Sequence, residues 1–262
     1  MKYKRIVSLC LAVVLCFSLA VSAFAADTTA RKATDFKDFD RNAWYAEAVS
    51  AAVDNGLLYG KSSTIIEPNG NLTRAEMAAI INRAFGCYKT ADISQYKDVA
   101  KNVWYYKDVQ LAVQMGTYNG RSNASMAPDA PITRQEAMTV VARALQLDLE
   151  RYNKADLSKF SDCSQISDWA LPYVKAMVGA DYIHGRTSGL APQDTITRAE
   201  FAQIFHNILK HYIVTAGTYD KDFSGNVLIR CADVTLKDLT VDGDLILGNG
   251  VADGKIVLDN VT

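Results

Sequence analysis

The sequence predicts a mainly α-helical protein built from three helix-loop-helix repeats, followed by a short all-β segment. Three observations support this fold class. Five sequence landmarks recur in the same order three times between residues 35 and 212. Within each copy, apolar residues are spaced as on one face of a helix, on both sides of a loop. From about Gly217 onward, short aliphatic and β-branched runs separated by turn residues replace that pattern.

The first 25 residues have the pattern of a secretory signal peptide. A basic start precedes an almost wholly apolar run at 6–19, and small residues precede a cleavage site after Ala25. The alternative is a retained membrane anchor, which needs about 20 apolar residues, more than this run supplies. We therefore predict a secreted protein with no membrane association after cleavage.

The charge balance argues against nucleic acid as a partner. Removing residues 1–25 takes away three of the 28 basic side chains and none of the 29 acidic ones, which leaves 25 against 29 and a net charge of −4. Nucleic-acid-binding domains usually carry a clear positive excess instead.

The cysteine and histidine patterns point away from metal binding and catalysis. Cys87, Cys163 and Cys231 are far apart and form no CxxC pair, so they predict one disulfide at most, or free thiols, rather than a zinc site. No repeated nucleophile accompanies the histidines, which are His184, His206 and His211. We expect no metal, no cofactor and no enzymatic activity within this chain.

Each repeat carries an aromatic-x-Asp triplet, a tryptophan, a Gly-Lys or Gly-Arg pair, a proline and a Leu/Ile-Thr-Arg-x-Glu segment. The aspartate and the arginine are 36 positions apart in every copy: Asp38 and Arg74, Asp98 and Arg134, and Asp162 and Arg198. Such regular spacing is typical of repeat architectures. We predict repeats at 35–88, 95–150 and 159–212.

The first repeat shows how each copy is expected to fold. A helix starts near Trp44 and ends at Asn55-Gly56, since glycine is common just past a helix end. A loop with the Gly-Lys pair and the proline follows, and a second helix opens at the Thr-Arg-x-Glu segment. One helix pair buries little apolar surface, so we expect the copies to pack on one another.

The Thr-x-x-Glu pairs predict capping boxes, in which threonine and glutamate satisfy backbone N–H groups at a helix start. These pairs are Thr73 and Glu76, Thr133 and Glu136, and Thr197 and Glu200.

Capping does not explain the arginine between each threonine and glutamate. Arg74, Arg134 and Arg198 fall at the first helical position, where the helix dipole disfavours a cation. Two interpretations remain open. One is an external anion held by the guanidinium and the helix N-terminus. The other is an internal salt bridge, with the recurring aspartates (Asp38, Asp98 and Asp162) as candidate partners.

Two further sets of residues are candidates for the same site. The basic residues that follow the loop glycines suit a carboxylate or sugar oxygens, and they are Lys61, Arg121 and Arg186. The tryptophans suit either the core or stacking against a sugar ring, and they are Trp44, Trp104 and Trp169.

These landmarks, above all Leu/Ile-Thr-Arg-x-Glu, resemble the surface-layer homology (SLH) domain, over roughly residues 35–212. The resemblance implies a pseudo-trimeric bundle of three repeats that attaches exported proteins to the Gram-positive cell wall. It also implies binding of secondary cell-wall polysaccharide, often pyruvylated N-acetylmannosamine, in grooves between repeats. Arg74, Arg134 and Arg198 would be the main binding residues, with the loop basic residues and tryptophans beside them.

The sequence departs from the family pattern in two places. Gln135 replaces the usual alanine, and the spacing from Asp162 to Trp169 is one residue longer than in the other copies. Neither change removes a charge, but we expect the third groove to differ in shape.

Residues 217–262 predict short strands separated by Gly-Asp and Asp-Gly turns. Even spacing of short strands is typical of a parallel β-solenoid, and about 45 residues correspond to its first rungs, which suggests a fragment of a longer protein.

The function predicted from the sequence is non-covalent anchoring of an exported protein to the cell wall. Two alternatives concern the whole protein: the repeats anchor a polysaccharide-active enzyme whose catalytic part lies beyond this chain, or the protein self-associates in a surface layer.

Overall fold

The computed structural model describes residues 31–186 and 189–262; the predicted signal peptide lies outside the described residues. Each repeat contributes two α-helices. Their bounds are α1 (Ala46–Asp54), α2 (Arg74–Phe85), α3 (Tyr106–Gln114), α4 (Arg134–Ala144), α5 (Leu171–Gly179) and α6 (Arg198–Ile208).

The second helix of each repeat packs against the first helix of another repeat. Helix α2 lies against α3, α4 against α5, and α6 against α1. The buried faces follow the predicted spacing: Ala48, Val49, Ala52 and Val53 of α1 are all at most 8% exposed. Helix α1 begins two residues after Trp44, and Gly56 ends it in the left-handed conformation (φ +66°).

Backbone hydrogen bonds join the three repeats in a ring just before their second helices. The Leu72 N–H donates to Ile196 (2.9 Å), the Ile196 N–H to Ile132 (3.1 Å), and the Ile132 N–H to Leu72 (3.0 Å). All three side chains are fully buried, so the ring lies in the centre of the helical core.

The extra residue before Trp169 is accommodated in a 3₁₀ helix, Cys163–Gln165. Gln135, the other departure, is buried and exchanges hydrogen bonds with Ser167 of the third repeat. Gln135 therefore lies at a contact between the second and third repeats.

Eight short strands follow the helices. They are β1 (His211–Ile213), β2 (Gly217–Tyr219), β3 (Phe223–Ser224), β4 (Val227–Ile229), β5 (Val234–Leu239), β6 (Val241–Asp242), β7 (Leu245–Leu247) and β8 (Ile256–Val261). They form three parallel sheets, with strand orders β1-β4-β7, β2-β5-β8 and β3-β6. The first strand begins at His211, six residues before the predicted start at Gly217.

Strand β4 lies between two apolar cores because its side chains alternate. Val227 and Ile229 belong to a core within the β segment, whereas Leu228 belongs to the helical core, and all three are fully buried. Arg230, which follows, donates hydrogen bonds to the Arg83 and Asn55 carbonyls at the ends of α2 and α1.

Candidate functional site

The three recurring arginines, called here the helix arginines (Arg74, Arg134 and Arg198), are buried at 3–6% exposure. Each extends from the start of its helix into the loop of another repeat. Their Nε atoms donate to backbone carbonyls at 2.8–2.9 Å: Arg74 to Met126, Arg134 to Leu190, and Arg198 to Ile66. The helix arginines therefore join one repeat to another.

Each helix arginine also forms an ion pair with the capping-box glutamate of the repeat that it contacts. The Nη1-to-Oε1 distances are 3.2 Å for Arg74 and Glu136, 3.6 Å for Arg134 and Glu200, and 3.6 Å for Arg198 and Glu76. Burial is the main cause that lowers the pKa of Arg198, and the nearby Glu76 opposes that shift. The internal salt bridge considered above is present, but its acid is the glutamate of another repeat.

The recurring aspartates do not pair with the helix arginines; they hold the loops instead. Asp98 accepts hydrogen bonds from the backbone N–H groups of Met126 (2.9 Å) and Ala127 (2.7 Å). Asp38 and Asp162 make the equivalent pairs of bonds in their repeats. The second donor in each loop has a positive φ of 49–54° although it is not glycine, so the aspartate stabilises a strained turn.

All three predicted capping boxes are confirmed, since each threonine accepts from the glutamate N–H and each glutamate accepts from the threonine N–H. These glutamates (Glu76, Glu136 and Glu200) thus bind a helix start and an arginine at once, and we call them the shared glutamates. Burial raises the pKa of Glu200, but hydrogen bonds from Thr197 and Arg186 outweigh it, so the pKa lies below its ordinary value.

A second cation reaches each shared glutamate from its own repeat. These are the loop cations Lys61, Arg121 and Arg186, which pair with Glu76, Glu136 and Glu200 respectively. Their side chains are 36–43% exposed, in contrast to the helix arginines. One carboxylate therefore lies between two cations in every repeat. Within the described residues, no further acidic side chain pairs with Arg74 or Arg121, so the cluster around Glu136 keeps an uncompensated positive charge.

The loop glycines allow close packing within the loop. A Cβ on Gly60 would lie 2.4 Å from the Phe36 ring, and one on Gly120 would lie 2.5 Å from the Tyr96 ring. The glycine thus lets the aromatic landmark support the loop from which the cation extends.

The tryptophans are not core residues: Trp44, Trp104 and Trp169 are 61%, 63% and 51% exposed. Trp104 lines a cleft with Lys61, Glu76 and Arg198, and we call it cleft 1. Trp169 lines the equivalent cleft 2 with Arg74, Arg121 and Glu136. Every repeat contributes to each cleft, because the loop cation, the helix arginine and the tryptophan come from three different repeats.

Both clefts are open and large enough for a sugar residue. Cleft 1 has a volume of about 330 Å³ and cleft 2 about 530 Å³. The third cluster, Arg134, Arg186 and Glu200, occupies the equivalent place on α6, and Trp44 precedes α1, which packs on that helix.

Two arginines that the sequence analysis missed also line the clefts. Arg83 lines cleft 1, and Arg143 lines cleft 2; we call them the outer arginines. Each lies nine residues after a helix arginine, and Asn207 holds that place in the third repeat. The sequence signal for the outer arginines was their recurrence at the same position in two repeats. That signal is weak, because basic residues are common near the C-terminal end of a helix.

Among residues 31–186 and 189–262, no cluster of metal-ligating side chains occurs. The helices in those same residues are too short or too polar to cross a membrane.

The model of the S-layer homology domain matches residues 35–78, 95–138 and 159–202, which together make up half of the sequence. The chain belongs to the S-layer homology domain family. The three matches confirm the three tandem repeats that the motifs predict.

Relatives of the chain include several kinds of surface protein. It is 32% identical to a surface-layer 125 kDa protein from Lysinibacillus sphaericus, over 70% of this chain and 16% of that protein. It is 28% identical to a cell surface protein from Thermoanaerobacter kivui, over 95% of this chain and 30% of that protein. An endoglucanase from Bacillus sp. (strain KSM-635) is 29% identical over 80% of this chain and 23% of its own length.

The family and these relatives identify the chain as a secreted cell-surface protein and support cell-surface anchoring by its repeats. The chain spans less than a third of the length of each of these relatives.

Proposed function

We propose that the SLH repeats anchor the protein non-covalently to the cell wall by binding an anionic, pyruvylated secondary cell-wall polysaccharide. The observation that carries the proposal is the cluster in each repeat, where two cations share one carboxylate. In clefts 1 and 2, an exposed tryptophan lies beside it. The excess positive charge of clefts 1 and 2 suits a ketal carboxylate, and the indole face suits the sugar ring.

The two kinds of cation have different roles in this proposal. The loop cations are partly exposed, and they would contact the ketal carboxylate of the polysaccharide directly. They are Lys61, Arg121 and Arg186. The helix arginines, Arg74, Arg134 and Arg198, donate to backbone carbonyls and are therefore fixed in place. Their roles are to position the shared glutamates and to add positive electrostatic potential at the site. Trp44, Trp104 and Trp169 provide the stacking surface.

The architecture that we propose for these sites is a pseudo-trimeric bundle. It is supported by the ring of hydrogen bonds through Leu72, Ile132 and Ile196 and by the cyclic ion pairs. A bundle with several sites binds a repeating polymer more tightly than any single site, because later contacts form within one complex.

For the β segment we propose the first rungs of a parallel β-solenoid. The three sheets support it, because β4 pairs with β1 and β7, and β5 with β2 and β8, all in parallel.

Co-sedimentation of the secreted chain with purified polysaccharide, native or chemically depyruvylated, tests the proposed function. The triple variant Lys61→Gln, Arg121→Gln, Arg186→Gln removes the loop cations. A matched control, Lys101→Gln, Lys154→Gln, Lys221→Gln, removes the same charge from exposed positions elsewhere.

We expect the wild type and the control to bind native polysaccharide, and the loop-cation variant to lose at least tenfold in affinity. Equal binding of both polysaccharides, or undiminished binding by the loop-cation variant, would contradict the proposal.

A second proposal concerns the whole protein. The endoglucanase relative favours an anchor for a polysaccharide-active enzyme, and the surface-layer relative favours self-association in a lattice. Electron microscopy of the full-length protein distinguishes these functions, since ordered arrays are expected only for the lattice component.

A further inference from the structure

The three clusters differ in net charge although their motifs are alike. In cleft 2, Arg74, Arg121 and Arg143 face one carboxylate, Glu136. Within the described part of the chain, Arg143 has no ion-pair partner, and its guanidinium lies over the Tyr173 ring at 4.8 Å. Three cations and one anion give cleft 2 a formal charge of +2.

Each cleft is lined by one acidic side chain, but the loop cation of cleft 1 has a second acidic neighbour outside the lining. The cations of cleft 1 are Arg198, Lys61 and Arg83, but Lys61 lies near Glu67 (3.9 Å) as well as Glu76. Glu67 lowers the formal charge of this group of side chains from +2 to +1, and the volume of cleft 1 is about 330 Å³ against about 530 Å³ for cleft 2.

The third cluster is neutral. Arg186 is paired with Glu200 and also with Asp194, whose Oδ2 lies 3.0 Å from its Nη1. Asp194 stands where the other repeats have Gly70 and Ala130, and Asn207 replaces the outer arginine. Two cations, Arg134 and Arg186, thus face two carboxylates.

We propose that the three sites bind the anion unequally, with cleft 2 the primary site, cleft 1 a weaker site and the third cluster inactive. The outer arginines and Asp194 set both clefts apart from the third cluster, whereas Glu67 and the smaller volume set cleft 1 apart from cleft 2. This inference rests on the proposed function and assigns it to particular sites. Its physical basis is electrostatic. A carboxylate binds most favourably in a partly enclosed cleft that is surrounded by guanidinium groups without acidic partners.

The chain itself provides one reporter for each site, since its three tryptophans are distributed one to a repeat. In a ¹H–¹⁵N spectrum of the secreted chain, each indole N–H gives one peak, which Trp→Phe variants assign. The probe is the methyl glycoside of 4,6-pyruvylated N-acetylmannosamine, and the control is the same sugar without the pyruvyl group.

We expect the Trp169 peak to shift at the lowest probe concentration, Trp104 at several-fold higher concentration, and Trp44 to remain in place. Equal midpoints for the three peaks, or an earlier shift of Trp44, would overturn the ranking while leaving the proposed function intact. If no peak shifts with the probe, the proposed function itself fails.

Exchanging residues between the sites tests the cause of the ranking. Arg143→Asn introduces the residue of the third repeat and should weaken binding at Trp169 by about tenfold, a difference of ~1.4 kcal/mol. Binding at Trp104 serves as the internal control and should not change. The double variant Asn207→Arg, Asp194→Ala should produce a shift at Trp44, and its absence would overturn the role of these two positions.

Discussion

In each cluster, the buried cations, called here the floor, and the exposed side chains, called the rim, use the same chemistry for different purposes. At the floor, Arg74, Arg134 and Arg198 are nearly inaccessible and bind carbonyls and glutamates of another repeat. At the rim, the loop cations, the outer arginines and the tryptophans are partly or largely exposed. The difference teaches that burial and hydrogen bonding, rather than residue type, decide whether an arginine holds the fold or is available for a ligand.

Replacing a floor arginine should have the largest effect on stability. Arg74→Met leaves the Met126 and Asn119 carbonyls without their guanidinium donor and removes a cation from Glu136. Breaking a buried ion pair from one side costs about 3–5 kcal/mol, and urea denaturation measures the change in the free energy of unfolding.

The matched rim variant is Arg121→Met, which removes the other cation of the same glutamate. Its side chain is 43% exposed, and exposed ion pairs contribute about 0–1 kcal/mol. Similar losses for the two variants would contradict the division between floor and rim.

Removing one helix cap should have an intermediate effect. Thr133→Ala deletes the hydroxyl that accepts from the Glu136 N–H and should lower the free energy of unfolding by about 1 kcal/mol. Thr133→Ser keeps the hydroxyl and is expected to retain most of that stability. A loss as large as that of Arg74→Met would show that Thr133 does more than cap α4.

Acidification should destabilise the loops that Asp98 and Asp162 hold by hydrogen bonds. Burial raises the pKa of Asp98 and of Asp162, but hydrogen bonds from the Met126, Ala127, Leu190 and Ala191 N–H groups outweigh it, so both pKa values are lowered. A lowered folded-state pKa gives stability that is present above the unfolded value, about 3.9, and is lost as the pH falls through the folded value. In denaturation curves from pH 7 to pH 2, Asp98→Asn should therefore lose less stability on acidification than the wild type; parallel curves would contradict this.

Rim tryptophans should have the smallest effect on stability. Trp169→Ala removes a side chain that is 51% exposed, and surface substitutions usually change stability by within about 0.5 kcal/mol. The same variant should bind native polysaccharide more weakly than the wild type in co-sedimentation. A stability loss of several kcal/mol would show that the indole belongs to the fold after all.

The sequence was sufficient for the repeats, the helix order and the capping boxes, because these depend on local spacing. It was not sufficient for the partners of the helix arginines. Arg74 and Glu136 are 62 residues apart, and their pairing depends on how the repeats pack. The recurring aspartates were candidate partners because they share the register, whereas their hydrogen bonds to a strained loop turn depend on backbone geometry.

Other features of the structure were also difficult to predict from local sequence patterns. Trp44 was a candidate for the core as well as for stacking on a sugar, but it precedes α1 and is exposed. The outer arginines Arg83 and Arg143 resemble ordinary basic residues near helix ends. Strand β1 has only three residues and begins three positions after the end of α6. It is too short for an alternating pattern to distinguish it from the helix.

The most direct test of the account is to measure binding and stability together for one rim variant. The double variant Arg121→Gln, Arg143→Asn keeps the floor contact between Arg74 and Glu136 and removes two rim cations from cleft 2. Calorimetric titration with native polysaccharide should show at least a tenfold loss of affinity, while thermal unfolding shows a Tm within about 4 °C of the wild type, a change below ~1–2 kcal/mol. Unchanged affinity, or a fall in Tm as large as that of Arg74→Met, would contradict the claim that the floor holds the fold and the rim binds the wall.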